Sequence, residues 1–202
     1  MMGKILGALL AIGLVLTIVA IYPLVTSTES GKAPSGQAAG EGATTYNEAA
    51  ASGSFLPPER RQPVPALVFL DAEGREVPLS EFRGRVVLLN LWATWCGPCV
   101  REMPSLDALQ VRLGGPDFAV VALSQDRGGA EVVRKFYEDY DLANLDVWLD
   151  KANAAGRALK TRGLPTTVLI DAQGREVGRV EGAEEWDAPE MVERIEAVIA
   201  GG

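Results

Sequence analysis

The sequence predicts an α/β fold, with a central mixed β-sheet flanked by helices on both faces and an added N-terminal β-hairpin. First, apolar runs of strand length alternate with helical patterns between residues 66 and 199. Second, the last part of this region reads as a hairpin followed by a helix. Third, the two cysteines of the chain stand between a continuous apolar run and a segment rich in helix-forming residues. This order of elements is typical of a single domain with a mixed sheet.

The domain opens with a predicted hairpin. Residues 66–70 and 76–79 read as two strands, and residues 71–74 have the composition of the turn between them. Nearly the same seven residues recur at 171–177, which we interpret as one hairpin solution used twice and not as a duplication. Residues 80–84 then form a short helical turn that ends at a glycine.

Two long apolar runs form the centre of the predicted sheet. Residues 86–92 and 118–124 are continuously apolar or nearly so, which is typical of strands buried on both faces. A helix is predicted between them, over about residues 97–113. A second helix follows, and its apolar face is formed by Val132, Val133, Phe136, Tyr137 and Tyr140.

Smaller elements complete the domain. We predict a short strand at 147–149, a small Ala-rich helix around 152–160, and a hairpin made by 166–170 and 176–180. Asp187 and Glu190 resemble a capping box at the start of the last helix. The apolar side of that helix comprises Met191, Val192, Ile195, Val198 and Ile199.

Residues 92–99 read Trp-Ala-Thr-Trp-Cys-Gly-Pro-Cys and contain both cysteines, Cys96 and Cys99. A C-x-x-C pair between a buried strand and a helix is a redox signature. Unpaired backbone N–H groups and the positive end of the helix dipole favour the thiolate form of a cysteine at a helix start, and the thiolate is the nucleophile in disulfide exchange. Pro98 is tolerated there because a first-turn N–H has no helical partner.

Two other interpretations of the cysteine pair are weaker. A purely structural disulfide across three residues closes almost no loop and therefore restrains the unfolded chain very little. Structural zinc needs four N or S ligands, whereas this chain has two cysteines and no histidine. We therefore interpret the pair as redox-active, and we expect neither a metal nor a cofactor.

The net charge of the chain is −8, and all of it arises after residue 64. Residues 65–202 hold 15 Lys and Arg against 23 Asp and Glu, whereas residues 1–64 hold four of each kind. An acidic domain argues against nucleic-acid binding, which requires a basic patch. We interpret the acidic side chains as a solvated surface.

The N-terminal region predicts a membrane anchor and a linker. Residues 5–25 carry no charge and match the length of about 20 residues that crosses a bilayer as a helix. Lys4 precedes them, so the positive-inside tendency places residues 1–4 in the cytoplasm and the domain outside. A cleaved signal peptide is the alternative, but this run is longer than a signal h-region and lacks an A-x-A-like site. Residues 26–64 are rich in Gly, Ala, Ser, Thr and Pro, which predicts a flexible linker before a domain at 65–202.

Over about residues 65–200 the chain resembles the thioredoxin superfamily, and within it the membrane-anchored TlpA/ResA-like thiol–disulfide oxidoreductases of bacteria. The resemblance implies a thioredoxin-like fold. Residues 182–186 are similar to the TlpA branch in particular. The motifs that carry the resemblance are residues 79–84, 90–99, 102–104 and 163–167.

The resemblance also implies roles for individual residues. Cys96 would be the nucleophile that forms a mixed disulfide with the substrate, and Cys99 would resolve it. Pro165 matches the family's cis-proline beside the active site, where an ordinary loop proline is the alternative. The expected substrate groove comprises Trp95, Gly97, Pro98, Leu164 and Pro165. Trp95 would flank the nucleophile instead of packing in the core, whereas Trp92 is assigned to the core.

Glu102 lies one helical turn after Cys99 and could face the redox pair. The family often has Glu here, and a partly buried carboxylate could take the proton of the resolving thiol. A solvent-facing helix glutamate is the alternative. Cytosolic thioredoxins carry a buried Asp where this chain has Asn90, which cannot ionise. Proton handling would therefore fall to Glu102, to water or to no group at all.

The Gly-Pro insert resembles that of thioredoxin, a reductant near about −270 mV, whereas strong oxidants lie near about −120 mV. We therefore expect a reductase of protein disulfides that faces the periplasm from the bacterial inner membrane. The resemblance implies a transmembrane thiol donor, with a copper chaperone or subunit II of cytochrome oxidase as substrate. Reduction of the haem-attachment CxxCH in cytochrome c maturation is one alternative, and a non-catalytic module that binds a copper chaperone is another.

Overall fold

The computed structural model describes residues 55–150 and 152–201. The predicted anchor at 5–25, its flank at 1–4 and the predicted linker up to residue 54 lie outside these residues. No helix within the two described ranges combines the length and the apolar character that crossing a membrane requires.

The described residues form one mixed sheet of eight strands. The strand bounds are β1 Gln62–Pro63, β2 Val68–Leu70, β3 Glu76–Pro78, β4 Val86–Trp92, β5 Phe118–Ser124, β6 Trp148–Leu149, β7 Thr166–Ile170 and β8 Arg175–Glu181. Their order across the sheet is β1-β8-β7-β4-β5-β6-β2-β3. Strand β4 lies in the middle, parallel to β5 and antiparallel to β7. The strands β2 and β3 form the predicted N-terminal hairpin at one edge.

Helices cover both faces of the sheet, as the sequence predicts. The helices are α1 Gly97–Leu113, α2 Ala130–Asp139, α3 Ala154–Ala158 and α4 Pro189–Ile199, and the 3₁₀ turns are Pro58–Arg60 and Leu79–Phe82. One apolar cluster joins the even-numbered side chains Leu88 and Trp92 of β4 to helices α1, α2 and α4. A second cluster joins Leu89 and Leu91 to helix α3 and to the 3₁₀ turn that precedes β4.

The two similar seven-residue segments form the same turn, as the sequence predicts. In the first hairpin, one oxygen of Asp71 accepts from the backbone N–H groups of Glu73 and Arg75, each at 2.9 Å. In the second, Asp171 accepts from the corresponding two N–H groups at 3.1 and 2.9 Å. Each turn has a glycine at positive φ, 82° at Gly74 and 73° at Gly174, where a side chain would be strained.

The folded domain begins earlier than predicted. Residues 55–64 belong to the predicted linker, yet Leu56 is only 2% exposed and Phe55 packs against the first apolar cluster. Strand β1 pairs antiparallel with β8, with Gln62 opposite Glu176. The predicted boundary at residue 65 is therefore about ten residues too late, because a few anchoring contacts hold a stretch whose composition is that of a linker.

The predicted capping box of the last helix is wrong. Helix α4 begins at Pro189, and its N-cap is Ala188, which makes no side-chain capping hydrogen bond. Pro189 occupies the first helical turn, where its fixed φ fits and its missing N–H has no partner to lose. Asp187 therefore lies before the cap position and not at it.

Candidate active site

The two cysteines lie where β4 ends and α1 begins. The chain leaves the sheet at Trp92, and Cys96 occupies the N-cap position of α1. Cys96 and Cys99 are joined by a disulfide, with their Cα atoms 5.2 Å apart. Cys99 is fully buried, whereas Cys96 retains 6% exposure. Cys96 is therefore the more accessible of the two residues, in the order that the resemblance implies for nucleophile and resolving cysteine.

The start of α1 creates an environment that favours negative charge on Cys96. The backbone N–H of Cys99 donates a hydrogen bond to Cys96 Sγ at 3.3 Å. Gly97, the first residue of the helix, also has a backbone N–H without a helical acceptor, whereas Pro98 has no N–H. These dipoles stabilise a thiolate more than a thiol, which lowers the free energy of the nucleophilic form once the disulfide is reduced.

A buried carboxylate fixes the loop before Cys96. Asp126, which is 4% exposed, accepts hydrogen bonds from the backbone N–H of Thr94 at 2.9 Å and from the Thr94 hydroxyl at 2.8 Å. The Ser124 hydroxyl donates to the same carboxylate at 2.9 Å. No sequence pattern indicates Asp126, because only the parallel pairing of β4 and β5 brings it beside residue 94.

Trp95 is 70% exposed, so the core-packing alternative for this side chain is wrong. Gly97 and Pro98, which stand between the two cysteines along the chain, are exposed as well. Trp92, in contrast, is fully buried and stacks on Tyr137 with their ring centroids 5.9 Å apart. The exposed indole of Trp95 makes the surface beside Cys96 apolar.

The Leu164–Pro165 peptide bond is cis, as the resemblance implies. Strand β7 begins at Thr166, which lies opposite Leu91 near the end of β4. The Leu164–Pro165 segment, which precedes β7, and the loop to Cys96, which follows β4, therefore lie at the same end of these two strands. Leu164 also packs against the apolar cluster that contains both cysteines.

Glu102 is 2% exposed, so the solvent-facing alternative for this residue is wrong. Its Oε1 accepts from Asn90 Nδ2 at 2.7 Å, and its Oε2 accepts from the backbone N–H of Glu184 at 3.0 Å and from Trp186 Nε1 at 3.1 Å. Burial raises the pKa of Glu102 to about 6, although these three hydrogen bonds act in the opposite direction. The carboxyl group therefore changes charge close to neutral pH.

Asn90 links this acid to the sheet. Its Nδ2 donates to Thr167 Oγ1 at 2.8 Å in addition to Glu102, and Thr167 lies opposite Asn90 in the β4–β7 register. Asn90 Oδ1 is buried and has no hydrogen-bond partner among the described residues. Since Asn90 is neutral, Glu102 is the titratable group at this point of the site.

The loop 183–186 closes the far side of Glu102. Besides the two hydrogen bonds to the carboxylate, the backbone N–H of Trp186 donates to the Ser105 hydroxyl at 3.1 Å. Trp186 is 1% exposed. In the sequence, residues 182–186 show only a likeness to one branch of the family, because a buried indole that donates to an acid 84 residues away has no local signal.

Residues 55–150 and 152–201 contain no cluster of three or more His, Cys, Asp or Glu side chains placed to hold a metal ion.

Comparison with known proteins agrees with this geometry. The model of the redoxin family matches residues 59–199. The chain belongs to the redoxin family. The matched region includes the disulfide, Glu102, the cis-proline and Trp186, so it contains the whole site described above.

Named relatives narrow the activity. The chain is 36% identical over 121 residues to the thiol-disulfide oxidoreductase ResA of Bacillus thuringiensis subsp. konkukian, covering 58% of this chain and 67% of that protein. It is 34% identical over 134 residues to ResA of a Bacillus cereus strain, covering 64% and 76%. With its C-x-x-C pair, this redoxin is a thiol–disulfide oxidoreductase of the ResA/TlpA type.

Solved structures show the same fold. A candidate thiol:disulfide interchange protein DsbE from Chlorobium tepidum is 28% identical, has a TM-score of 0.60, and is covered over 96% of its length by 69% of this chain. A candidate thioredoxin from Neisseria meningitidis is 29% identical, with a TM-score of 0.59 and coverage of 91% and 69%. The α/β fold of this redoxin is therefore thioredoxin-like.

Proposed function

We propose that this redoxin works as a reductase of protein disulfides, with Cys96 as nucleophile, Cys99 as resolving cysteine and Glu102 as the group that accepts a proton from Cys99. The observation that carries the proposal is the pair itself: the more accessible sulfur caps a helix, and a buried acid with a raised pKa follows one turn after the buried sulfur. This arrangement supplies a stabilised thiolate, a second thiol and a proton acceptor within one helix.

The reaction proceeds in two exchanges. In the reduced enzyme the Cys96 thiolate attacks one sulfur of a substrate disulfide, forms a mixed disulfide and releases the other substrate sulfur as a thiolate. Cys99 then loses its proton and attacks Cys96 Sγ, which releases the second substrate thiolate and forms the Cys96–Cys99 bond. The disulfide of this structure is the oxidised product, and an external dithiol must return two electrons and two protons.

The second exchange needs the proton acceptor, because Cys99 is fully buried and gains less from the helix dipole than Cys96 does. A carboxylate whose pKa is about 6 is ionised at neutral pH and is still basic enough to take a proton from a nearby thiol. The exposed Trp95, together with Gly97, Pro98 and the Leu164–Pro165 segment, offers the surface on which a substrate polypeptide would lie.

We also propose a direction for the disulfide exchange and a location for the domain in the cell. The Gly-Pro insert favours a reductase, since thioredoxin carries the same insert and lies near about −270 mV. The apolar, uncharged segment at 5–25 favours an inner-membrane anchor with the domain in the periplasm. A reductant in that oxidising compartment needs electrons from a transmembrane thiol donor.

For the substrate we propose cysteine pairs that later bind copper, in a copper chaperone or in subunit II of cytochrome oxidase. Copper binds only the reduced thiolates of such pairs, so their assembly requires a reductant. The residues Gly163-Leu164-Pro165-Thr166 differ from the Gly-Val-Pro-Glu type that is associated with cytochrome c maturation.

The test is a trap in living cells with the full chain. The Cys99→Ser variant should stop after the first exchange and accumulate a mixed disulfide that dithiothreitol releases, and mass spectrometry should identify a protein with a copper-binding cysteine pair. The Cys96→Ser/Cys99→Ser variant is the matched control and should trap nothing. A captured protein with a CxxCH motif would refute the copper assignment. Full function of Cys99→Ser in cells, without any adduct, would refute catalysis and favour a binding module.

A further inference from the structure

We propose that Trp186 is a positioning residue of the redox centre, that its indole N–H and the backbone N–H of Glu184 hold the Glu102 carboxylate, and that the cleft beside them is where this carboxyl group exchanges its proton with water. The inference rests on the proposed role of Glu102 in resolving the mixed disulfide. The loop 183–186 then has a role in positioning the Glu102 carboxylate, whereas the exchange between the two cysteines alone does not involve this loop.

The contacts are specific to one carboxylate oxygen. Glu102 Oε2 receives both the indole N–H of Trp186 at 3.1 Å and the backbone N–H of Glu184 at 3.0 Å, while Asn90 occupies Oε1. Donors that point at a carboxylate favour its ionised form, so these contacts oppose the effect of burial. Since Trp186 is 1% exposed, its ring cannot turn away without leaving a hole in the core.

A second set of bonds fastens the loop to α1. The Ser105 hydroxyl lies 2.8 Å from the backbone oxygen of Glu102 and 3.4 Å from that of Glu184, and it accepts from the backbone N–H of Trp186 at 3.1 Å. Ser105 and Glu102 are neighbours on one face of α1 because they are three residues apart. The loop is therefore held by the helix that carries the acid it contacts.

The same loop lines the way to solvent. A cleft of about 170 Å³ is lined by Arg101, Glu102 and residues 183–185, which makes it large enough for water. None of these residues belongs to the proposed substrate groove at Trp95, Gly97, Pro98 and Leu164–Pro165. A proton taken from Cys99 could therefore leave through the cleft while a bound substrate covers Cys96.

Substitutions at Trp186 and Glu184, two loop residues that lie beside Glu102, should shift the pKa of Glu102 in opposite directions. The Trp186→Phe variant removes a donor to the carboxylate, so the pKa of Glu102 should rise. The Glu184→Gln variant keeps the backbone N–H but removes a negative charge that raises the pKa of Glu102, so this pKa should fall. Arg101 and Glu185, the other charged residues along the cleft, stay unchanged in both variants.

The experiment measures the same group in two ways on the full chain. The Glu102 carboxyl is titrated by ¹³C NMR in the oxidised protein, and the rate at which a preformed mixed disulfide resolves is followed between pH 5 and 9. In Trp186→Phe the NMR midpoint should rise by about one pH unit, since a hydrogen bond to a charged group is lost, and the acid limb of the rate should move with it. In Glu184→Gln both should move downward.

Trp92→Phe is the matched control, because Trp92 is equally buried in the same cluster but its Nε1 has no hydrogen-bond partner among the described residues. Its NMR midpoint should equal that of the native protein. If Trp186→Phe does not fold, Ser105→Ala replaces it and should shift the midpoint in the same direction by a smaller amount.

The outcomes distinguish the positioning role of Trp186 from the proposed catalytic role of Glu102. An unchanged midpoint in the Trp186 and Ser105 variants, or equal shifts in Trp186→Phe and Trp92→Phe, would overturn the positioning role of Trp186. If the midpoint moves and the acid limb does not, Trp186 does hold the carboxylate, and the proposed catalytic role of Glu102 is what fails.

Discussion

The Glu102→Gln variant offers a test of the buried acid that needs no substrate. Burial raises the pKa of Glu102 from 4.5 to about 6, which means that the native state favours the protonated carboxyl by about 2 kcal/mol relative to the unfolded chain. Below about pH 4.5 the Glu102 carboxyl is protonated in both the native and the unfolded state, and its full contribution to the free energy of unfolding is present. As the pH rises through 6 the native carboxyl ionises and the contribution is lost. Over this window Glu102 therefore destabilises the native protein by about 2 kcal/mol.

Glutamine mimics the protonated acid, so the variant should not show this loss. Its side-chain oxygen can still accept from Trp186 and from the backbone N–H of Glu184. Its amide would face Asn90 Nδ2, but Asn90 Oδ1 has no partner among the described residues, and rotation of the Asn90 amide would present that acceptor. The variant should therefore fold with the same contacts on at least one side of the carboxamide.

The assay is urea unfolding of the oxidised protein at intervals between pH 4 and 8. The difference in free energy of unfolding between the variant and the native protein should grow in favour of the variant by about 2 kcal/mol from pH 4 to pH 7. Glu193→Gln, on the exposed side of α4, is the control and should leave the pH dependence of the native protein unchanged. Parallel pH curves for the Glu102→Gln variant and the native protein would refute the claim that Glu102 is a buried acid with a raised pKa.

Burial and contacts elsewhere in the domain give three more expected outcomes. Leu56→Ala should lower the free energy of unfolding by about 2–4 kcal/mol in urea titrations, because Leu56 is 2% exposed; a change below about 0.5 kcal/mol would return residues 55–64 to the linker. Trp95→Ala should leave stability within about 0.5 kcal/mol but lower kcat/KM for a protein disulfide about tenfold, with little effect on a small disulfide such as oxidised glutathione. Asp126→Ala should destabilise the protein by about 2–3 kcal/mol. After the disulfide is reduced, alkylation of Cys96 by iodoacetamide at neutral pH should be slower in this variant because the loop that positions Cys96 loses its anchor; an unchanged alkylation rate would refute the positioning role of Asp126.

The sequence predicted the centre of the domain best. The bounds of β4, β5, β7 and α1 agree with the prediction. For β4 and β5 the reason is that a strand buried on both faces is almost continuously apolar, and such a run has clear ends. The short edge elements agree less well. The strand predicted at 66–70 is β2, which begins only at Val68, because its pairing with β3 and with the distant β6 decides where it begins.

The residues of the site also differ in how well the sequence predicts them. The two cysteines, the helix start and the position of Pro165 follow from short motifs, so the sequence places them directly. The surroundings of Glu102 do not, since the spacing from Cys99 leaves a buried and an exposed glutamate equally open. The choice is made by Trp186 and by Asn90, which lie 84 and 12 residues away along the chain. Burial of a polar side chain is a property of the assembled fold, and only its partners reveal it.

Asn90 places a neutral amide, and not a second acid, beside Glu102. An aspartate at residue 90 would lie within hydrogen-bond distance of Glu102, and two carboxylates that share one site cannot both be ionised at ordinary pH. The neutral amide avoids this repulsion and instead donates to the Glu102 carboxylate, which favours its ionised, proton-accepting form. The acid lies on α1, the helix that also carries Cys99, where Trp186 donates to its carboxylate and the Ser105 hydroxyl lies 2.8 Å from its backbone oxygen. The partners of the carboxyl group, and not its presence alone, therefore set the pKa of Glu102 and, in the mechanism that we propose, the pH at which Cys99 can react.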